Sequence, residues 1–294
     1  MTRRLLVAGT ALAAACAAGA RGTVPAPTTP APDPYATTPA TTPPTPRTDA
    51  VRYGPAAARY LVRRRLHIQQ ALGDQPQVQT VGARIFVATA ITGPADSVGY
   101  PAMFTVDSIV ADSGTPPPIV DNVSKVRKLV FAGRVAVRGE FVNVIASDSA
   151  VAQSVIQLLG NFRDFLPRLP VDGAKPGAVW TDTVETTQKA GGSEVSRRTI
   201  THASVGAWED RLGTRSVRVD GTQTYRVAGG GKNAGQPFEL SGAGTGSGVN
   251  YLAFDGRYLG GEWQDSTNLT VRLPVQGVAV PVIQVTHTTV AVLP

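Results

Sequence analysis

Asp112-Ser113-Gly114-Thr115 is the stretch of this sequence whose residue types come nearest to a catalytic device. It follows an apolar run, Ile109-Val110-Ala111, and an Asp in such a turn can share a proton with a second carboxylate across a water. That chemistry needs two copies of the motif. Asp220-Gly221-Thr222 lacks the middle residue, and Pro116-Pro117-Pro118 follows Thr115 at once. The expectation is therefore a turn in which Asp112 hydrogen-bonds nearby backbone. Other reactive types are sparse. His67, His202 and His287 lie far apart, and a single Cys excludes both a disulfide framework and a four-Cys zinc site. Neither a phosphate-binding G-x-x-x-x-G-K-[ST], a nucleophile-elbow G-x-S-x-G nor a zinc-binding H-E-x-x-H occurs. Gly242-Ala243-Gly244-Thr245-Gly246-Ser247-Gly248 misses the dinucleotide register and reads as a flexible hairpin loop or bulge. No catalytic residue, metal or cofactor is assigned, and the expectation is a protein that is not an enzyme.

The one Cys has a more telling context. Arg3 and Arg4 precede an apolar stretch from Leu5 to Ala15, and small residues follow, which is the pattern of a secretory signal. Leu12-Ala13-Ala14-Ala15-Cys16 resembles the lipobox of bacterial lipoproteins, with Leu one place further upstream than usual. That resemblance implies a signal peptide over 1–15, lipidation of Cys16 and a membrane anchor. The rival reading is ordinary cleavage after Ala18-Gly19-Ala20, which discards Cys16. Both export the protein. With lipidation the location is extracytoplasmic and membrane-anchored, in the periplasm or outer membrane of a two-membrane cell.

Residues 16–50 make a tether. Thr23 to Ala50 holds nine Pro and nine Thr, with Val24 and Tyr35 its only apolar side chains beyond Ala. Such a segment cannot bury enough surface to offset its ordering entropy. Extended at about 3.1 Å per residue, it reaches up to roughly 90 Å.

The folded part is expected over 51–294. Gly54-Pro55 opens a first predicted helix to about Leu72, with Ala57, Leu61, Ile68 and Leu72 on one face and Arg63, Arg64 and Arg65 mostly off it. Ser147-Asp148-Ser149 offers caps for a second helix that Pro167 stops, and Val151, Val155, Leu158, Leu159, Phe162, Phe165 and Leu166 form a wide apolar stripe along it. Nearly everything else alternates with period two. Leu259, Trp263, Leu269, Val271 and Leu273 alternate with Tyr258, Glu262, Gln264, Asn268 and Arg272, and Val217, Val219, Tyr225 and Val227 with Arg218, Asp220, Thr224 and Arg226. Strands also fit Val78 to Thr92, Ala102 to Ala111, Val126 to Val137 and Val195 to Val205. Turn signals lie at Gly229 to Asn233 and Leu273 to Gly277. Phe131-Ala132-Gly133-Arg134 before Gly139-Glu140-Phe141 echoes Phe254-Asp255-Gly256-Arg257 before Gly261-Glu262-Trp263, which suggests two halves built alike. Strands do not alternate with helices, so a doubly wound parallel sheet is out. The fold class is mainly β (α+β): a curved antiparallel sheet or half-barrel with two covering helices.

Composition narrows the partners. The chain has 294 residues, 42% of them hydrophobic, and 28 Lys+Arg against 21 Asp+Glu for a net charge of +7. The basic residues are dispersed, so nucleic acid is not an expected partner. The longest apolar run is too short for the ~20 residues of a membrane helix.

Leu169-Pro170-Val171-Asp172-Gly173, followed by Pro176-Gly177 and Trp180, and the late segment Tyr251 to Gly261, resemble an uncharacterised bacterial lipoprotein family with a domain of unknown function. That family is akin to the LolA and LppX half-barrel lipoprotein carriers. The resemblance spans most of residues 75–294 and implies a concave face that holds acyl chains. On this reading Val151, Val155, Leu158, Phe162 and Phe165 of the second helix face Trp263, Leu269 and Val271 of the sheet. Together they line an apolar cavity for a lipid or other hydrophobic ligand. The alternative is a structural or interaction lipoprotein of the envelope with a closed core. The sequence names no protein partner.

Overall fold

The structure, a computed structural model, describes residues 50–72, 75–124, 126, 128–152, 164–190, 192–233 and 235–294. The signal peptide, Cys16 and the tether lie outside these residues, as do Val155, Leu158 and Phe162.

Eleven strands make one antiparallel sheet: β1 (Ala56–Leu72), β2 (Gln75–Ile91), β3 (Tyr100–Ala111), β4 (Leu129–Val135), β5 (Phe141–Ala146), β6 (Val179–Ala190), β7 (Ser193–Arg211), β8 (Thr214–Asn233), β9 (Gln236–Ala253), β10 (Tyr258–Leu273) and β11 (Val278–Leu293). Their order across the sheet is β5-β4-β3-β2-β1-β11-β10-β9-β8-β7-β6. Consecutive strands are neighbours except β5 and β6, which are the two edges, and the last strand returns to pair with the first. A short helix, α1 (Pro117–Ser124), follows β3.

The strands stand in two-sided alternation. Tyr60, Val62, Leu66 and Ile68 of β1, Val81 to Val87 at odd positions of β2, Leu269 and Val271 of β10, and Val280 and Val282 of β11 are buried on one face. The opposite face carries Arg59, Arg63 and Arg65 on β1 and Glu262, Gln264, Asn268 and Arg272 on β10, all exposed. On these two strands a polar exterior covers a buried interior, the reverse of the apolar outward band of a lipid-facing barrel.

The sheet curls until its edges meet through side chains. Arg138, in the β4–β5 turn, reaches Asp182 of β6 at 3.0 Å. Arg168, on the segment between β5 and β6, reaches Glu140 at 3.2 Å and Asp182 at 3.4 Å. All four side chains are less than a third exposed, so these ion pairs are screened less than surface ones. Arg138 Nε also donates to the Leu169 carbonyl at 3.0 Å.

One end of the concave face is closed by aromatic packing. Phe104 of β3 stacks on Phe141 of β5 at 4.4 Å, and Phe165 meets Tyr60, Phe104 and Tyr258 edge-on at 5.3, 5.5 and 6.0 Å. Tyr60 donates its hydroxyl to the Tyr258 carbonyl at 3.0 Å, and Tyr53 to the Pro167 carbonyl at 2.6 Å. Gly139 has φ 100°, and a Cβ there would strike the Tyr53 ring and the Pro167 carbonyl, so this tight turn requires glycine.

Several expectations are corrected. Residues 56–72 form strand β1, not a helix: Tyr60, Val62, Leu66 and Ile68 are a period-two set, and pairing on both sides outweighs the local helix propensity of Ala, Leu, Arg and Gln. Of the two covering helices, the first is thus absent. The described part of the second is a helical turn at 149–152, where Asp148 Oδ1 caps the Val151 amide at 2.9 Å. The Gly242–Gly248 run lies inside strand β9, and Gly229 to Asn233 is the end of strand β8. The two echoing motifs are not equivalent, because Phe131–Arg134 is mid-strand whereas Phe254–Arg257 is a turn.

Candidate functional site

Halfway along the curled sheet the inward positions turn polar. In register across the concave face, Leu66 of β1 lies beside Thr286 of β11, Thr286 beside Asp265 of β10, and Gln223 of β8 beside Gly246 of β9. One step along the strands, Ile68 lies beside Gln284 and Gln284 beside Thr267; one step the other way, Arg64 lies beside Thr288. These residues form a polar belt within a sheet face that is otherwise apolar.

Strand β9 makes room for the belt. Gly242, Gly244, Gly246 and Gly248 occupy its inward positions, and neighbouring side chains lie over them. A Cβ at Gly246 would strike Asp265 Oδ1 and come within 3.0 Å of Trp263 Nε1; one at Gly244 would strike the Tyr225 hydroxyl. Here glycine serves close approach within a strand.

Asp265 is the hub. Its Oδ1 accepts from Trp263 Nε1 at 2.8 Å and from Gln223 Nε2. Burial pushes its carboxyl up to about 6, while the two donors and the Arg197 and Arg64 guanidinium groups pull the other way. Burial likewise lowers Arg64, with Asp265 opposing and Arg197 reinforcing that shift. Arg197 of β7 stacks its guanidinium 3.7 Å from the Tyr225 ring centre and donates from Nε to Thr199 at 3.2 Å. Tyr225 and Thr267 share a hydrogen bond at 3.0 Å.

Among the described residues, three belt atoms have no partner: Arg64 Nε, Gln284 Oε1 and Thr286 Oγ1 are buried and make no hydrogen bond. Gln284 and Thr286 are each 1% exposed. Buried polar atoms are paired in the great majority of cases, and leaving one unpaired costs about 1–3 kcal/mol. All three lie on the adjacent strands β1 and β11. Inward Val184, Val195, Trp263, Val290 and Val292 are only half-buried, so the concave face keeps accessible apolar surface on either side of the belt.

The residues expected to line a cavity fall in different places. Trp263 is half-buried and holds Asp265 through its indole N–H. Leu269 and Val271 are buried in the core beyond the belt. Phe165 belongs to the aromatic end, and Val151 is half-buried against the core. Val155, Leu158, Phe162 and Cys16 lie outside the described residues. Sequence reasoning misses the belt itself. Asp265 and Thr267 share the parity of Trp263, Leu269 and Val271, and a charge on an apolar face is the signal that could find it.

The other motifs sit on the outside or in turns. Thr115 of the Asp-Ser-Gly-Thr turn donates its hydroxyl to the Gly82 carbonyl at 3.1 Å, and Asp112 pairs with Arg65 at 3.7 Å. His67, His202 and His287 each bond a different neighbour: Thr80, Thr181 and Glu262. A groove on the outward side of β2–β5, beside Met103, Ala132 and Ile145, has Thr92, Asn143 and Arg134 as its polar side chains, with Arg134 paired to Asp96.

No family model and no curated protein matches the chain. Among solved structures, Pseudomonas aeruginosa OccK2 (OpdF) aligns with 81% of this chain and 98% of its own, at 9% identity and a TM-score of 0.28. DynF from the dynemicin biosynthesis pathway of Micromonospora chersina aligns over 92% of both chains, at 7% identity and a TM-score of 0.22. A BenF-like porin from Pseudomonas fluorescens Pf-5 aligns with 81% of this chain and 99% of its own, at 9% identity and a TM-score of 0.24. Scores this low establish no shared fold.

Proposed function

We propose that this chain is a binding protein rather than an enzyme, and that it holds a lipid or other largely hydrophobic ligand against the concave face of its sheet. The observation that supports this most is that three buried atoms of the polar belt, Arg64 Nε, Gln284 Oε1 and Thr286 Oγ1, have no partner among the described residues, on a face that is apolar on either side of the belt. A purely structural core gains nothing from them, since apolar residues of the same volume fill the space without the desolvation cost. A ligand with a polar head and an apolar body answers both features. The export signal, the lipidated Cys16 and the Pro/Thr-rich tether complete the proposal: an envelope lipoprotein whose binding domain stands away from its membrane, in keeping with the resemblance to half-barrel carriers.

The test is native mass spectrometry of the purified protein for a co-purifying lipid, followed by titration with a fluorescent fatty acid. Association and chain-ordering costs remove much of the ~0.8 kcal/mol per buried methylene, which leaves roughly micromolar affinity as the expected outcome. No bound lipid and no binding at ~100 μM overturn the proposal in favour of the closed structural reading.

A further inference from the structure

We infer that the ligand's polar head is a carboxylate, held between Arg64 and Thr286 on the concave face; this rests on the binding role proposed above. Two independent observations converge on it. First, the unpartnered atoms are chemically complementary to such a head. Arg64 Nε–H is a donor without an acceptor, and the Thr286 hydroxyl is a second. They project inward from adjacent strands, Arg64 diagonal to Thr286 across the Leu66–Thr286 pair, so both face one place on the concave side. Gln284 Oε1 lies one inward step beyond Thr286 and is an acceptor. It suits a hydroxyl or N–H on the ligand next to the carboxylate.

Second, the belt carries surplus positive charge. Arg64 and Arg197 both act on Asp265, and they also act on each other. Two guanidinium groups therefore face one carboxylate. The other inward acid, Asp182, is already committed to Arg138 and Arg168 at the seam. A single negative charge balances this set. A doubly charged phosphate monoester leaves a net negative charge in a desolvated site, which is costly. The monoanion with two in-plane acceptors is the better match to Arg64 and Thr286.

The test compares ligands of one chain length on the purified full-length protein by displacement of a fluorescent fatty acid at pH 7.5. Hexadecanoic acid is expected to bind at least about tenfold more tightly than hexadecanol, and more tightly than hexadecyl phosphate. Arg64→Met is expected to erase the acid-over-alcohol preference while leaving hexadecanol affinity within about threefold. Thr286→Val, which keeps the side-chain shape, is expected to reduce the preference by several fold and serves if Arg64→Met does not fold. Circular dichroism checks both variants. Equal binding of acid and alcohol to the wild type overturns the carboxylate assignment and leaves the carrier role standing. A preference for the phosphate overturns it likewise. Failure of all three ligands to bind overturns the carrier role itself.

Discussion

At the aromatic end of the concave face, Tyr60, Phe104, Phe141, Phe165 and Tyr258 fill the space between β1, β3, β5 and β10, and both tyrosine hydroxyls are used in hydrogen bonds. Four residues further along β1, about 13 Å at strand rise, Arg64 stands on the same face. There, on β1 and β11, buried polar atoms lack partners among the described residues, and glycines replace side chains on β9. The same strands build both regions. The first is self-sufficient; the second is complete only when something else supplies acceptors and a donor. Stability and recognition are thus separated along the strand axis, and substitutions in the two regions should have opposite signatures.

The largest effect is expected at the aromatic end. Phe104 is fully buried and contacts both Phe141 and Phe165. Phe104→Ala removes its ring and leaves a cavity that the curled sheet cannot close, for a loss of about 3–5 kcal/mol. Urea unfolding should show this as a lower midpoint. A loss under ~1 kcal/mol breaks the distinction between the two regions.

Next in size is the pH dependence of the belt. The folded-state carboxyl of Asp265 is raised to about 6 by burial. The folded protein therefore holds a proton there that the unfolded chain has already released. The stabilising contribution is present below the ordinary carboxylate pKa near 4 and is lost as pH rises through 6. Arg64 and Arg197 facing it moderate the loss, and Trp263 and Gln223 donate to it in the charged form. Every tenfold difference in proton affinity between the folded and unfolded chain is worth ~1.4 kcal/mol. Asp265→Asn should flatten the stability profile between pH 4 and 6, as followed by thermal melts at several pH values. Identical slopes for variant and wild type show that Asp265 does not set the pH dependence.

These two regions are unequally legible in the sequence. The apolar alternation of β10 and β8 reads directly as strands with one buried face, and the apolar positions of β2 and β3 are evident. The belt breaks the pattern wherever it crosses a strand. Arg64 interrupts Tyr60-x-Val62-x-x-x-Leu66-x-Ile68 at its centre, and Ala57, Leu61, Ile68 and Leu72, spaced by four or seven, then mimic a helical stripe on a helix-favouring composition. On β9 the inward residues are Gly242, Gly244, Gly246 and Gly248, so no side chain marks the face and the strand reads as a loop. The bulk there comes from Trp263, Tyr225 and Leu269 of other strands, which no local pattern reveals. Local rules fail at the positions where the fold departs from simple burial, and those are the positions that carry the proposed chemistry.

A smaller effect is expected at the seam. Arg138→Met keeps most of the stem packing but removes the 3.0 Å pair to Asp182 and the donation to Leu169. Asp182 retains Arg168, so the variant does not leave an isolated buried charge. A loss of about 1–2 kcal/mol follows, the usual range for a partly exposed charged hydrogen bond. Hydrogen exchange should show faster opening of β5 and β6 than of the central strands β1 and β11. Uniform opening across the sheet indicates that the ion pairs do not hold the edges together.

The smallest stability effect, and the sharpest contrast with Phe104, is expected at Gln284. Its side chain is 1% exposed and its Oε1 has no partner. It sits opposite Ile68 on one side and Thr267 on the other, with Val282 two residues along. Gln284→Met conserves length and volume, removes an unpaired carbonyl oxygen and replaces it with a flexible apolar tip. Desolvating an unmatched amide is unfavourable, so the ligand-free variant should be as stable as the wild type or more stable by about 1 kcal/mol. A buried polar residue whose removal does not weaken the fold is retained for some purpose other than folding. The same variant should bind a hydroxylated fatty acid no better than the plain acid, whereas the wild type should prefer the hydroxylated form. Differential scanning calorimetry of the delipidated proteins measures the first outcome. A clear drop in melting temperature for Gln284→Met shows that Gln284 is satisfied within the fold itself, and the contrast between the two regions then fails at its most exposed point.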